Sequence, residues 1–387
     1  MATRIGTGTS THGDARVGAI EAAQEARAAL GGATADLAVV FAAGAHLAAP
    51  EATLEGVHEA LRPPALIGCG AGGVLGCGDE HEEGSTAVAV WAASLGEGTA
   101  RTFHATATVQ DDMVTVMGME ELSGSSGVIL LPDPFSFPTD ALLHDLQTRA
   151  PGVPVIGGLA SGRTQQDTAA LFHGDELCDS GLVGVRFDGV ELLPCVSQGA
   201  TPVGPEMTIT AAEGNVIQEL AGRPALDRIR EVIEQLDPRE RALVAGGLLV
   251  GLVVDNGHPD YEQGDFLVRA LLGADPVAGT LAIAAPVAEG QVLRLHARDA
   301  ASADRDLEEQ LSLRVTALGG APAGALAFSC NSRGRDMFGV SDHDAGALAE
   351  QLGGAPTAGF YAAGEIGPVG GTSFMHSFTA TIALFAT

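Results

Sequence analysis

Lysine is absent: all 20 basic side chains of the 387-residue chain are arginine. A chain without an ε-amine forms no pyridoxal Schiff base, carries no Walker-type phosphate lysine and has no lysine general base. What remains for recognising carboxylates or phosphates is the two-pronged guanidinium fork. Aromatic residues are scarce as well, 4% against a hydrophobic fraction of 46% and 53 glycines. The core is therefore to be filled by Ala, Val and Leu between many tight turns. Positive charge is outweighed, and the formal net charge of −29 repels phosphate backbones and anionic lipid surfaces. It argues against nucleic acid or membrane as partners and serves solubility first.

A disulfide framework is also missing, because the five cysteines (Cys69, Cys77, Cys178, Cys195, Cys330) are odd in number and scattered. The opening residues have no apolar stretch of signal-peptide length. The longest apolar run, residues 242–254, is too short to cross a bilayer and ends in Asp255-Asn-Gly, so it is expected to be a buried strand. A reducing, cytoplasmic setting is the expectation that follows. No Gly-x-Ser-x-Gly and no His-Glu-x-x-His occurs, which leaves serine hydrolases and zinc proteases without support. Gly68-Cys-Gly70-Ala-Gly-Gly73 has dinucleotide-binding spacing, but Val74-Leu-Gly-Cys-Gly-Asp is expected to continue as loop rather than open a helix. A pyrophosphate needs that helix N-terminus, so neither NAD nor FAD is expected, and no cofactor at all. Cys69, Cys77, Asp79 and His81 lack the paired spacing of a structural zinc site, and Asp79-Glu-His-Glu-Glu83 reads as a solvated acidic loop. No metal is expected. Asp342-His-Asp344-Ala-Gly346 lacks the closing glutamate of a calcium loop.

What is present is a repeated order of elements. After an opening strand and a helix over about 16–30, residues 36–43 read as a buried strand and 51–61 as a helix with Leu54, Val57, His58 and Leu61 on one face. Pro64-Ala-Leu-Ile-Gly68 then runs into glycines, and 86–92 closes the unit. The order recurs in strand 127–132, helix 139–150, Pro154-Val-Ile-Gly157 and strand 182–187. It recurs again in strand 325–329, helix 341–352, Pro356-Thr-Ala-Gly359 and strand 377–385. Ser341 and Asp344 are expected to cap the last helix. In each copy the glycine is expected to form a turn at a sheet end, where loops build ligand sites. The fold class expected is α/β in the mixed α+β sense, with duplicated strand-helix-strand-strand units forming mixed sheets and helices packed outside. Residues 207–318 differ: an entry strand near 207–210, a helix with Leu226, Ile229, Val232 and Ile233, three further strands, and a helix over about 302–318. Thr201-Pro-Val-Gly-Pro205 marks the expected boundary, giving domains 1–204 and 205–387.

The candidate site lies in the third copy. Cys330, Arg333 and Arg335 follow its first strand, Glu365 follows its glycine, and His376 precedes its closing strand. A thiol, two guanidiniums and a carboxylate on one loop rim suggest a ligand pocket, against the bland reading of a core cysteine with arginines paired to Glu365. Cys330 with His376 as base is the nucleophilic alternative, the thiol pKa lowered by the arginines.

At these residues the chain resembles the FIST family of sensory proteins. The resemblance rests on Cys330-x-x-Arg333, Gly359-Phe-Tyr-x-x-Gly-Glu365-Ile-Gly-Pro, the pair His376 and Thr379, and Leu66-Ile-Gly-Cys-Gly-Ala-Gly-Gly further upstream. Residues 1–204 then correspond to a FIST N-terminal domain and 205–387 to a FIST C-terminal domain. The resemblance implies a cytoplasmic signal-transduction protein that binds a small molecule, with amino acids or small carboxylates as ligands and no established reaction. The ligand-binding set it implies is Cys330, Asn331, Arg333, Arg335, Tyr361, Glu365, His376 and Thr379, roofed by Gly68, Cys69 and Gly70. Similar sequences carry His-Asn where this chain has His376-Ser377. No kinase or cyclase segment is attached, so output is expected to pass through an unknown signalling partner. A Cys330 enzyme and a ligand-free interaction scaffold are the two rivals.

Overall fold

The computed structural model describes residues 2–110, 113–254, 261 and 263–387. Two compact units emerge, one of Met1–Val196, Leu307–Met375 and Ala380–Thr387, the other of Ser197–Asp306 with His376–Thr379. The expected linear boundary at 204/205 falls inside the strand Ala200–Glu213. The main segment of the second unit thus lies between the second and third copies, and the first unit resumes at Leu307, so compactness does not follow a single cut of the chain in two. No helix among the described residues is long and apolar enough to cross a membrane.

Within the first unit the three copies share one topology. In each, the closing strand lies antiparallel to the first strand, and the first lies parallel to the second. These trios are Ala87–Ser94, Leu37–Ala43 and Ala65–Gly70; Leu182–Asp188, Gly127–Pro132 and Val155–Gly158; and Thr379–Phe385, Gly324–Cys330 and Thr357–Ala362. The helices Pro50–Leu61, Thr139–Arg149 and His343–Gln351 make the parallel crossovers. In each copy the residue just before the second strand is a proline, Pro64, Pro154 or Pro356.

The sequence hides the next step. Each copy's hairpin, placed between its second and closing strands, pairs with the second strand of a different copy. Val74–Gly76 and Asp79–His81 extend the third sheet, Leu171–His173 and Glu176–Cys178 extend the first, and Glu365–Val369 with Thr372–His376 extend the second. The exchange is cyclic. It corrects the loop expected at 74–79, which is a β-hairpin.

The glycines of the second strands are not turns. Gly68 faces Val40, Gly157 faces Leu130 and Gly359 faces Ala327 across the parallel ladders. A Cβ would stand 2.2, 1.9 and 1.9 Å from the facing carbonyl oxygens. Only a residue without Cβ permits that approach.

The inner faces of the three sheets share one core. Phe41 lies 4.9 Å from Phe360, Phe328 lies 5.8 Å from Phe360, and Phe385 touches both Trp91 and Phe187. Six of the 16 aromatic residues meet at this centre, each contributing about 1.5–3 kcal/mol by burial. The outer faces take the helices. Ala15–Ala29, begun by the Asp14 side chain accepting from Val17 N at 3.0 Å, buries Ala19, Ala22, Ala23 and Ala26. It lies so close to the opening strand Arg4–Ser10 that a Cβ at Gly6 or Gly8 would stand 2.2 Å from its carbonyl oxygens. Small residues therefore serve where large ones would prevent contact.

The second unit is a sheet ordered Ala200–Glu213, Val292–Arg298, Leu248–Val253, Phe266–Asp275, Thr280–Ile283, Val216–Leu220 and Arg223–Pro224. Ala200–Glu213 also pairs with Val216–Leu220, so the sheet closes on itself. The run 242–254, expected to be one strand, is divided. Its first residues end the helix Pro238–Ala245, and only Leu248–Val253 is strand. Asp237 and Glu240 form a capping box at that helix start, and this local capping outweighs apolarity.

Candidate functional site

The strand Gly324–Cys330 is buried throughout and delivers its chain end to a tight turn, with Arg333 N donating to Cys330 O at 2.8 Å. The turn carries Arg333 inward: its side chain is 0% exposed and meets Asp344, itself 2% exposed. Nε donates to Oδ2 at 2.7 Å and Nη2 to Oδ1 at 2.9 Å. Ser329 Oγ donates to Oδ2 at 2.7 Å, and His343 Nδ1 lies 3.0 Å from Oδ1. Burial alone would raise the Asp344 carboxyl, but the Arg333 charge and these hydrogen bonds hold it well below the usual carboxylate range. Burial likewise works against the Arg333 charge, and Asp344, Cys330 and Glu365 outweigh it. Asp344 was expected to cap the helix His343–Gln351. It is instead the counter-ion of Arg333, and the residue before the helix is Asp342, left-handed at φ 60°.

That helix start is completed from another copy. Glu80, on the exchanged hairpin, accepts from Ala345 N at 2.9 Å and from the Tyr361 hydroxyl at 2.6 Å, while its own N–H donates to Asp342 Oδ1 at 2.7 Å. A carboxylate there meets the free N–H groups of a helix N-terminus. Burial raises the Glu80 pKa, opposed by the bonds from Tyr361 and Ala345. Tyr361 is pushed up by burial and by the Glu80 charge. Only 9% exposed, Glu80 overturns the reading of 79–83 as wholly solvated.

The remaining expected residues distribute unevenly. Cys330 is 6% exposed, with Sγ 3.1 Å from Ser332 Oγ. Glu365 is 0% exposed and near enough to strengthen the Arg333 charge. Asn331 and Arg335 are exposed, and the Arg335 backbone N–H donates to Glu82 Oε1 at 2.8 Å. The expected paired arginines are therefore one buried and one solvated. Gly334, at φ 90°, leaves room for Glu82 and the Tyr361 hydroxyl, each 3.1 Å from where a Cβ would stand. Phe338 stacks on His343 at 3.5 Å and lies under the Arg333 guanidinium at 5.1 Å.

Gly68, Cys69 and Gly70 do not form a roof. They are strand residues, Cys69 is 0% exposed in the shared core, and burial pushes its thiol up. The glycines that reach Tyr361 are the next ones: Gly73 O accepts from Tyr361 N at 3.0 Å, and Gly72 N donates to Ser161 Oγ at 2.9 Å. Ser161 Oγ in turn donates to Tyr361 O. His376 and Thr379, both buried, belong to the second unit. The residues missed by sequence reasoning are Ser329, Glu80, His343 and Asp344 as a counter-ion. Nothing in the sequence Asp79-Glu-His81 marked Glu80; only the structure shows that the middle residue alone is buried.

One guanidinium edge stays open. Arg333 Nη1 is buried and finds no hydrogen-bond acceptor among the described residues. Asp344 occupies the Nε–Nη2 edge, which leaves donors on the Nη1 side.

Fold and site define a mixed α+β protein of three related units with an insertion, built around a buried ion pair. Its sequence matches the FIST N domain over residues 36–223 and the FIST C domain over 225–368. The chain belongs to the FIST family, whose domains are signal-transduction sensory domains. It is 44% identical over 383 residues to uncharacterized proteins of Mycobacterium tuberculosis strains CDC 1551 / Oshkosh and H37Rv, covering 99% of each chain. It is equally similar to an uncharacterized protein of Mycobacterium bovis, of which it covers 98%.

Proposed function

We propose that this protein is a small-molecule sensor whose site is organised by Arg333, with Cys330, Tyr361 and Glu365 around it, and whose ligand is an amino acid or a small carboxylate. The observation that carries the reading is the buried Nη1 of Arg333 without an acceptor. A guanidinium holds two acidic groups on different edges, so the Asp344 pair and a ligand carboxylate are compatible on one side chain. Glu365 supplies the countercharge for an ammonium group. The sequence expectation of an Arg333–Arg335 clamp is narrowed to Arg333, because Arg335 is exposed.

Thermal-shift screening against amino acids and small carboxylates tests it, since a ligand that binds the native state raises the melting temperature. The expected result is a saturable rise with at least one carboxylate, kept in Arg335→Gln and lost in Arg333→Lys, which retains charge but not the fork. If no carboxylate shifts the unaltered protein, the reading fails.

A further inference from the structure

Among the described residues, the second unit holds three buried side-chain atoms that can accept a hydrogen bond and have no partner, Ser197 Oγ, Gln198 Oε1 and His296 Nε2. His296 is 0% exposed on the strand Val292–Arg298, opposite Leu249 and Pro202. Its ring lies across Gly251, where a Cβ would stand 2.2 Å from Cε1. Nδ1 lies 3.1 Å from Arg294 O. A carbonyl only accepts, so Nδ1 carries the proton and Nε2 presents a lone pair. That Nε2 has no partner among the described residues. Gln198 is 3% exposed. Its backbone N–H donates to Asp306 Oδ2 at 2.7 Å and its amide to Phe266 O at 2.8 Å, whereas Oε1 has no partner among the described residues.

Both side chains contact Phe266, Gln198 through the backbone carbonyl and His296 through the ring, whose centroid lies 4.8 Å from that of His296 and 6.0 Å from that of Tyr261. Gln263 and Ser302 brace Gln198, through Gln263 Nε2 donating to Gln198 O at 3.3 Å and Ser302 Oγ to Gln263 Oε1 at 3.2 Å. The placement of Gln198 and His296 is thus built, yet Oε1 of one and Nε2 of the other have no partner among the described residues. Native proteins satisfy the large majority of such groups.

We propose that His296 and Gln198 form a binding site for a compact N–H donor, a primary amide or a small ammonium group, packed on Phe266. Two lone pairs repel a carboxylate, and two ligands are too few to fix a metal ion. Burial lowers the His296 pKa to about 4, so the Nε2 lone pair is available at neutral pH. The site asks for donors where Arg333 asks for acceptors. It stands or falls independently of the carboxylate reading.

The test is titration of the full-length, 15N-histidine-labelled protein with acetamide and, separately, with methylammonium chloride, following the His296 Nε2 resonance. A saturable shift with either probe is expected, and the arm that responds identifies an amide or an ammonium. Gln198→Leu is expected to weaken that response at least about tenfold, the loss that corresponds to one hydrogen bond of ~1.4 kcal/mol. The histidine resonance reports at the same time whether this variant is folded. Arg333→Lys is expected to leave the response unchanged, and acetate to produce none. No shift with either probe overturns the proposal. So does a crystal structure in which an ordinary water satisfies Nε2 and stays in place when the crystal is soaked in either probe.

Discussion

At the scale of the residue, the decisive object is Arg333 with Asp344. A buried ion pair is costly to assemble and more costly to halve, since a lone buried charge remains. Asp344→Leu is therefore expected to destabilise the protein by about 3–5 kcal/mol, and Arg333→Met by a similar amount. The double variant Arg333→Met with Asp344→Leu is expected to recover most of that loss. Urea unfolding of the four proteins closes the cycle, and strict additivity of the single losses would refute the coupling. The pair also fixes a pH dependence. Because the folded Asp344 pKa lies below its unfolded value, its contribution is complete above the ordinary aspartate range and is lost as pH falls through and below it. Glu80 acts in the opposite sense. Its pKa is raised, so ionised Glu80 is a burden that eases as pH falls into its titration range.

At the scale of the element, three glycines carry the architecture. Gly68, Gly157 and Gly359 hold the same place in three parallel ladders, and each lets a facing carbonyl approach within 2.2 Å of where a Cβ would be. Ala at any of them forces neighbouring strands apart in a sheet whose spacing hydrogen bonds fix. Each Gly→Ala change is expected to cost more than about 2 kcal/mol, against about 0.5–1 kcal/mol gained where glycine is merely flexible. Gly354→Ala, with nothing within 4 Å of the added methyl but φ 77°, isolates the backbone part. Thermal unfolding of the four variants orders them, and equal losses at Gly354 and Gly359 would rule out the steric account. The repeat of these elements was legible because apolar runs, helical spacing and Pro starts are local signals. The exchange of hairpins was not. Short strands such as Val74–Gly76 and Leu171–His173 carry too few residues to announce a partner, and their partners are chosen by closure of three sheets around one core.

At the scale of the whole molecule, two buried neutral histidines set a common acid response. His46 and His296 are lowered to about 4 by burial. The unfolded chain protonates them below about 6.5 and the folded chain only near 4. Between those values the unfolded state holds more protons, so stability falls as pH drops, by about 2–3 kcal/mol for each histidine. The urea midpoint measured from pH 7 to pH 4 is expected to fall, and His46→Gln to flatten the curve. The formal charge of −29 adds self-repulsion, so the midpoint at neutral pH is expected to rise with added salt. The sequence by itself determined the three strand-helix-strand-strand copies, the alanine- and glycine-rich build, the lysine-free chemistry and the family, because these reside in composition and short-range pattern. It pointed to the Cys330-to-Glu365 stretch. Only the tertiary structure decided that Arg333 is buried and Arg335 is not, that Asp344 is a counter-ion rather than a cap, that Glu80 closes a helix of another copy, and that His376 belongs to the inserted unit. Those are outcomes of which charged groups lose water together, and desolvation depends on neighbours brought in from other elements, Asp344 from 11 residues away at Arg333 and Glu80 from 265 away at Ala345.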